Sequence, residues 1–375
     1  MRVFVIAMVL MAAGLYVAER IYASDSSPAK ITLPPAGNIP YNGLAKTPPM
    51  GWNSGNTFGA RVWDRVVRET ADAMVRNGMK DAGYIYINID DGWQGRRDAR
   101  GNLEPNERFP DMKALADYVH ARGLKFGLYS SPGPKTCAGY PGSFQHEEQD
   151  ARTFAAWGVD YLKYDWCNAG TTYDQASMPA VFARMGLALL ASGRPIVYSI
   201  AGDLPKAADW AWAAGANLWP AEAMAASHAG PGHWNDPGAL DGDRTQFSLW
   251  SILAAPLLVG NDLASVTPRV LETLTNQEAI AVDQDPLGAQ GTCVKKSGDR
   301  EIWAKPLADG GYAVGLFNRG RAAATMVLGS SDLGIKTMST VRDLWAHEDR
   351  GETIDTYSAD VPPHGVVLLR VKLAR

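Results

Sequence analysis

The sequence predicts a (β/α)8 barrel followed by a small antiparallel β domain, and three observations carry that prediction. From residue 46 to about 285, short and nearly continuous apolar runs alternate with helical stretches, as in a parallel sheet covered on both faces. Eight such units fit a closed barrel. After residue 285 the texture changes to short β-branched runs cut by Gly, Asp, Ser and Pro, which read as antiparallel strands. Finally, charged and polar residues recur at the ends of the predicted strands: Asp90 and Asp91, Tyr129, Lys163 and Asp165, and Asp236. In a barrel those ends carry the chemistry, and packing does not explain acids recurring there.

The elements follow in order. Residues 1–23 read as a signal peptide: an apolar run from Val3 to Ala18, broken by Glu19 and Arg20, with the small Ala23 before a polar Ser24-Asp25-Ser26-Ser27-Pro28. The run is shorter than the ~20 residues of a membrane-spanning helix. Export to the periplasm or the extracellular space is therefore expected, with membrane attachment only if the segment is not cleaved. Residues 24–45, rich in Pro, read as a surface leader. In the barrel, expected over 46–285, Met50–Asn53 is a short first strand. Apolar spacing predicts a helix over Val62–Met79, with Gly83 closing it. Tyr84 to Asp91 is a strong strand, Met112–Arg122 a helix stopped at Gly123, and Lys125–Ser131 a strand. Gln145–Trp157 is a helix, Val159–Asp165 a strand, Met178–Ala191 a helix and Pro195–Ala201 a strand. Ala207–Ala214 is helical and Ala216–Trp219 a short strand. His233–Ala239 and Ala255–Gly260, separated by a helix over Arg244–Leu253, complete the set. The domain over 286–375 carries strands at Glu301–Lys305, Tyr312–Asn318, Ala323–Leu328, Thr340–Leu344 and Gly365–Val371. A doubly wound open sheet is the competing architecture, but the chain lacks a Gly-x-Gly-x-x-Gly turn after a strand.

Composition narrows the function classes. With 46% hydrophobic and 20% charged residues, the chain can bury a large core. Its net charge of -4 argues against nucleic acid, which calls for a clustered basic face. The six His show no metal-ligand spacing such as His-Glu-x-x-His, and no Ser sits in a Gly-x-Ser-x-Gly elbow. No metal and no cofactor are expected. Twelve Trp and fourteen Tyr suit sugar faces, although they also serve as core filler.

The stretch Asp160-Tyr161-Leu162-Lys163-Tyr164-Asp165-Trp166-Cys167 concentrates the chemistry. Lys163 and Asp165 lie two apart on a strand and share a face. Burying a charge is costly unless it is paired, so the two are expected to share a site. Taken alone, the octapeptide fits a structural ion pair equally well, and the other strand-end acids are what favour a site.

Longer motifs then carry a resemblance. These are Thr47-Pro48-Pro49-Met50-Gly51-Trp52-Asn53-Ser54, Ile87-Asn88-Ile89-Asp90-Asp91-Gly92-Trp93, Gly158 to Asp165, Gly230-Pro231-Gly232-His233-Trp234-Asn235-Asp236-Pro237 and Ala255-Pro256-Leu257-Leu258-Val259-Gly260. In this order they resemble glycoside hydrolase family 27, the α-galactosidase (melibiase) family, from about Leu44 to the C-terminus. The resemblance implies the barrel and β domain, and a retaining enzyme acting on α-linked galactose or a related sugar in an oligo- or polysaccharide. It implies Asp165 as nucleophile, with Lys163 helping to keep it charged and binding a sugar hydroxyl. It implies Asp90 and Asp91 as the pair gripping hydroxyls across the ring, Trp52 as an aromatic wall and Tyr129 as a strand-end neighbour. It also implies a Cys137–Cys167 disulfide, and leaves Cys293 over. A second common family disulfide is absent at both ends, where Ala60 and Gly92 stand.

The chain departs from the family on the other side of the site. Ala201-Gly202-Asp203 replaces a Cys-Glu-Trp-like run facing the sugar 2-position. The segment Asn217 to Met224 lacks the family's Arg and its acid/base Asp, and Pro220 and Met224 stand at those places. A second carboxyl about 5 Å from the nucleophile is needed. Glu222 on the same loop is the first candidate; Asp203 and Asp236 are the others, and a sugar-binding relative with no acid is the alternative.

Overall fold

A computed structural model describes residues 29–220 and 240–373. Six parallel strands form the barrel sheet: β1 (Met50–Asn53), β2 (Tyr86–Asn88), β5 (Lys125–Ser130), β6 (Tyr161–Asp165), β7 (Val197–Ala201) and β8 (Leu257–Val259). Their order is β7-β6-β5-β2-β1-β8. β1, β2, β5, β6 and β7 lie side by side in chain order, each crossing over to the next through a helix, and β8 pairs in parallel with β1. Trp52, Ile87, Phe126, Leu128 and Leu162 fill the face turned to the helices, all buried, while Tyr86, Tyr161 and Val197 pack on the opposite, inward face that also carries Lys163 and Asp165.

Register brings the predicted site residues level. Tyr129 pairs with Lys163, Lys163 with Ser199, and Asp165 with Ala201. Beyond β7 the expected strand at Ala216–Trp219 is reduced to a parallel bridge between Ser199 and Leu218. The reason is local: the Asn217 side-chain oxygen accepts the Tyr198 N–H at 2.8 Å, taking the place of a ladder carbonyl. The strand expected at His233–Ala239 lies outside the described residues.

The helices keep their positions and lose their ends. The first runs over Asp64–Arg76, short of Val62–Met79, because residues 77–83 wind through turns that close with Gly83 at φ 111°. The helix over Met178–Ala191 has the expected bounds. Elements that were not legible include the helices Pro268–Leu274 and Gln277–Asp283 and a hairpin of β3 (Gln94–Arg97) and β4 (Leu103–Pro105) after β2. The hairpin's Gln-Gly-Arg-Arg strand has no apolar alternation to announce it.

The C-terminal part holds a sheet ordered β14-β13-β16-β11-β10-β9 and a two-stranded β12-β15 sheet. Five strands match expected runs: β10 (Arg300–Pro306), β11 (Tyr312–Asn318), β12 (Ala324–Gly329), β13 (Met338–Asp343) and β16 (Val366–Leu373). Between them Val314, Leu316, Met326, Leu328, Val341 and Leu369 form a second core. Three strands lacked a signal: β9 (Thr292–Ser297), β14 (Glu348–Ile354) and β15 (Thr356–Val361). β9 is exposed along its length, so no hydrophobic period marks it. No helix among the described residues is long and apolar enough to cross a membrane.

Candidate active site

The site is assembled from the C-terminal ends of β2, β5, β6 and β7. Beyond β2 the chain turns so that Asp90 and Asp91 stand over the end of the sheet, both almost wholly buried. The turn is held by short-range bonds. The Asp90 N–H donates to Ser54 Oγ at 2.9 Å, and the Asp91 N–H donates to Asp90 Oδ1 at 2.8 Å. Lys163 Nζ donates to the other Asp90 oxygen at 2.8 Å and lies 5.2 Å from the Tyr129 ring centre. Asp91 Oδ2 accepts from the Ala138 N–H at 2.7 Å. Ser54, Thr136 and Ala138 are supports that the motif reading passed over, although Ser54 sits inside the first quoted motif.

Lys163 and Asp165, on the same face of β6, were expected to share a site, with a structural ion pair between the two as the alternative; the ion pair that forms is a different one. The direct partner of Lys163 is Asp90, because β2 lies two strands from β6, across β5, and its end comes within a lysine's reach. Asp165 feels Lys163 without holding it.

The electrostatics follow from that choice. Burial pushes the Asp90 carboxyl up, but the Lys163 ammonium and its hydrogen bond outweigh burial and hold it below the usual carboxylate range. Burial likewise pulls Lys163 down, and Asp90 more than restores it. Asp165 is raised: burial dominates, Lys163 opposes it, and the nearby Asp90 charge adds to the rise. Asp91 is also raised by burial, partly offset by the Ala138 N–H. Burial, then Asp165, push the Tyr129 phenol up, so it remains a neutral hydroxyl.

Trp52 on β1 is completely buried, and its Nε1–H donates to the Asn261 carbonyl at 2.8 Å. Cys137 and Cys167 form a disulfide linking the loops after β5 and β6. Both sulfurs lie within 4.8 Å of an Asp165 carboxylate oxygen. As a disulfide they offer no thiolate to a metal. Beyond β7, Gly202 takes a φ of 113°, and a Cβ there would come within 3.1 Å of Asp165 Oδ1. Gly202 therefore forms a wall beside Asp165 that has no side chain, a role the residue type alone does not announce. Asp203, on the same turn, is exposed. Glu222 and Asp236 lie outside the described residues.

A buried, charge-held carboxylate and ammonium beside a carboxyl with no direct cation partner among the described residues can bind hydroxyls and attack an electrophilic carbon. Comparisons with known proteins agree. A family model described as Alpha galactosidase A matches residues 47–212 and 208–285, and one for the Alpha galactosidase C-terminal beta sandwich domain matches 297–371. The chain is 45% identical over 365 residues to an alpha-galactosidase of Cyamopsis tetragonoloba, covering 86% of this chain and 85% of that one. Alpha-galactosidase I of Mortierella vinacea superposes with a TM-score of 0.81 at 31% identity, over 89% of this chain and 98% of that one. The Saccharomyces cerevisiae alpha-galactosidase with raffinose gives 0.80 at 27%, over 89% of this chain and 99% of that one. The chain belongs to the α-galactosidase (melibiase) family of glycosidases.

Proposed function

We propose that this protein is an exported, retaining α-galactosidase that removes terminal α-galactosyl residues from oligo- or polysaccharides. The observation that carries the reading is the division of labour among the buried charges. Asp90 and Lys163 satisfy each other at 2.8 Å and Asp91 is held by the Ala138 N–H at 2.7 Å, which leaves Asp165 as the site carboxylate with neither an ion-pair nor a side-chain hydrogen-bond partner among the described residues.

In this reading Asp165 attacks the anomeric carbon and forms a glycosyl-enzyme, and the glycosidic oxygen leaves with a proton. Asp90 and Asp91 accept sugar hydroxyls, and Lys163 donates to one while holding Asp90 charged. Glu222 supplies the leaving-group proton and then takes one from the water that releases the sugar, regenerating Asp165. Its support is its place in the sequence, on the loop where the family carries its acid. The N-terminal apolar run supports export through a cleaved signal of residues 1–23.

A second reading, a sugar-binding relative without an acid, is favoured by the shortened segment after Asn217. Leaving-group dependence separates the two, because a good leaving group needs little protonation. Glu222→Gln should slow hydrolysis of a galacto-oligosaccharide at least about tenfold more than that of an aryl α-galactoside. Equal loss on both substrates would remove Glu222 from the acid role. A wild-type protein that turns over only the aryl substrate would establish the second reading.

A further inference from the structure

Upstream of the family-matched region, which begins at residue 47, the described segment 29–45 lies along the outside of the barrel. Most of it is exposed, yet it is tied down at three levels. At its start the Ile31 N–H donates to the Thr172 carbonyl at 2.8 Å, and the Asp174 N–H returns a bond to the Ile31 carbonyl at 3.2 Å. Thr32 Oγ1 donates to the Asp174 carboxylate, and the Leu33 N–H donates to Ser177 Oγ at 2.7 Å. Midway, Ile39 is buried in a notch between two glycines. A Cβ at Gly186 would lie 2.9 Å from Ile39 Cδ1, and one at Gly215 would lie 3.0 Å from Ile39 Cγ2. At the far end, Asn217 Nδ2 donates to Asn42 Oδ1 at 2.8 Å.

The upper anchor meets the loop that leads away from Asp165. Residues 166–177 connect β6 to the helix Met178–Ala191. On their inner side they are held by the Cys137–Cys167 disulfide and by Asn168 Nδ2, which donates to the Thr136 carbonyl at 2.7 Å. On their outer side they meet the strap. Leu33 packs into a cluster with Tyr173, Val181 and Trp166, the residue directly after Asp165. A side-chain position that must be kept to about 0.5 Å is best set by packing from both sides.

We propose that segment 29–45 is a positioning strap. Through Ile31 and Leu33 it clamps the loop after β6, and so fixes Trp166, the disulfide and the Asp165 carboxylate beside it. The proposal rests on Asp165 acting as the nucleophile, as argued above.

The experiment uses the full chain with Leu33→Ala, Ile31→Pro and the volume-conserving Leu33→Met. It measures kcat and KM on an aryl α-galactoside, and the rate at which dithiothreitol opens the Cys137–Cys167 bridge below the melting transition. Leu33→Ala and Ile31→Pro should lower kcat about three- to tenfold with KM moving less than about twofold, since a small misplacement at a reacting centre is costly. Bridge opening should quicken at least about threefold as the loop opens locally, and Leu33→Met should stay near wild type. An unchanged kcat overturns the proposal, whether bridge opening speeds up or only the melting temperature falls. If Ile31→Pro does not fold, Leu33→Ala decides alone. A wild-type protein inactive on every α-galactoside would sink the proposed function instead. Bridge opening would then judge the strap: faster in Leu33→Ala supports it, and unchanged overturns it.

Discussion

Two buried lysines, Lys163 at the strand ends and Lys305 between the barrel and the C-terminal sheet, meet their surroundings in opposite ways. Lys163 bonds directly to a carboxylate, and its side chain remains 30% exposed toward the site. Lys305 is 0% exposed. Its ammonium donates to the Val282 carbonyl at 2.6 Å, to Ser251 at 3.2 Å and to Asp283 at 3.4 Å. Those carbonyls close the helices Gln277–Asp283 and Leu240–Ile252, where backbone acceptors have no intrahelical donor and the helix dipole favours a cation. At the site, the ion pair outweighs burial for both members and keeps both charged. At the interface, burial wins: it pushes Lys305 down and Asp283 well up. A direct ion pair open on one side can serve a substrate, whereas a lysine closed in by carbonyls joins two parts of a fold.

The contrast breaks most sharply at Asp165. Asp165→Ala should cut turnover of an aryl α-galactoside by about 10^3-fold or more with an unchanged fold, because no other group replaces a nucleophile. Appreciable residual hydrolysis, with a normal circular dichroism spectrum, would remove Asp165 from that role.

Lys163→Met tests the site side of the comparison through pH. Lys163 lowers both Asp90 and Asp165, so its loss should raise both carboxyls. Asp165 must be ionised to attack, and activity is lost as pH falls through its pKa. The acid limb of kcat/KM should therefore already lie above the ordinary aspartate value of 3.8 in the wild type. It should move higher still in Lys163→Met, and kcat/KM at neutral pH should fall about 10- to 100-fold with the lost charged hydrogen bond. A limb that stays in place or moves down would contradict the assigned electrostatics.

The interface side predicts stability effects with little change in turnover. Lys305→Met leaves helix-end carbonyls without a donor and should cost about 2–4 kcal/mol in urea unfolding. Its kcat should stay within about twofold of wild type, since distant sites act nearly independently. Asp283→Asn should be milder, under about 1 kcal/mol, because burial already favours the neutral acid there. The sign is fixed by linkage. Asp283 has a raised folded pKa, so its contribution is full below the unfolded value and is lost as pH rises toward the folded one. Asp283→Asn should flatten that decline. A steeper one would reverse the assignment. Asp90, whose folded pKa is lowered, follows the opposite rule: its contribution is present above the unfolded value and lost as pH falls.

Much of this was legible from periodicity. The strand Lys125–Ser130 and the helix Met178–Ala191 bury apolar faces, and burial leaves a repeating signal in the chain. Exposed pairing leaves none, which is why β9 and the Gln94–Arg97 hairpin were invisible. The acids at the ends of β2 and β6 were visible because charged residues rarely follow a buried strand without a use.

The sequence by itself determined the barrel with its β domain, the carboxylates at the strand ends and the family to which they belong. Only the tertiary structure decided that Lys163 pairs with Asp90 rather than with Asp165. It alone placed Gly202 beside that carboxylate and segment 29–45 against the loop that follows it. Periodicity reports which face of an element is buried, whereas the partner of a buried charge depends on which strand end the fold brings within one side chain's reach.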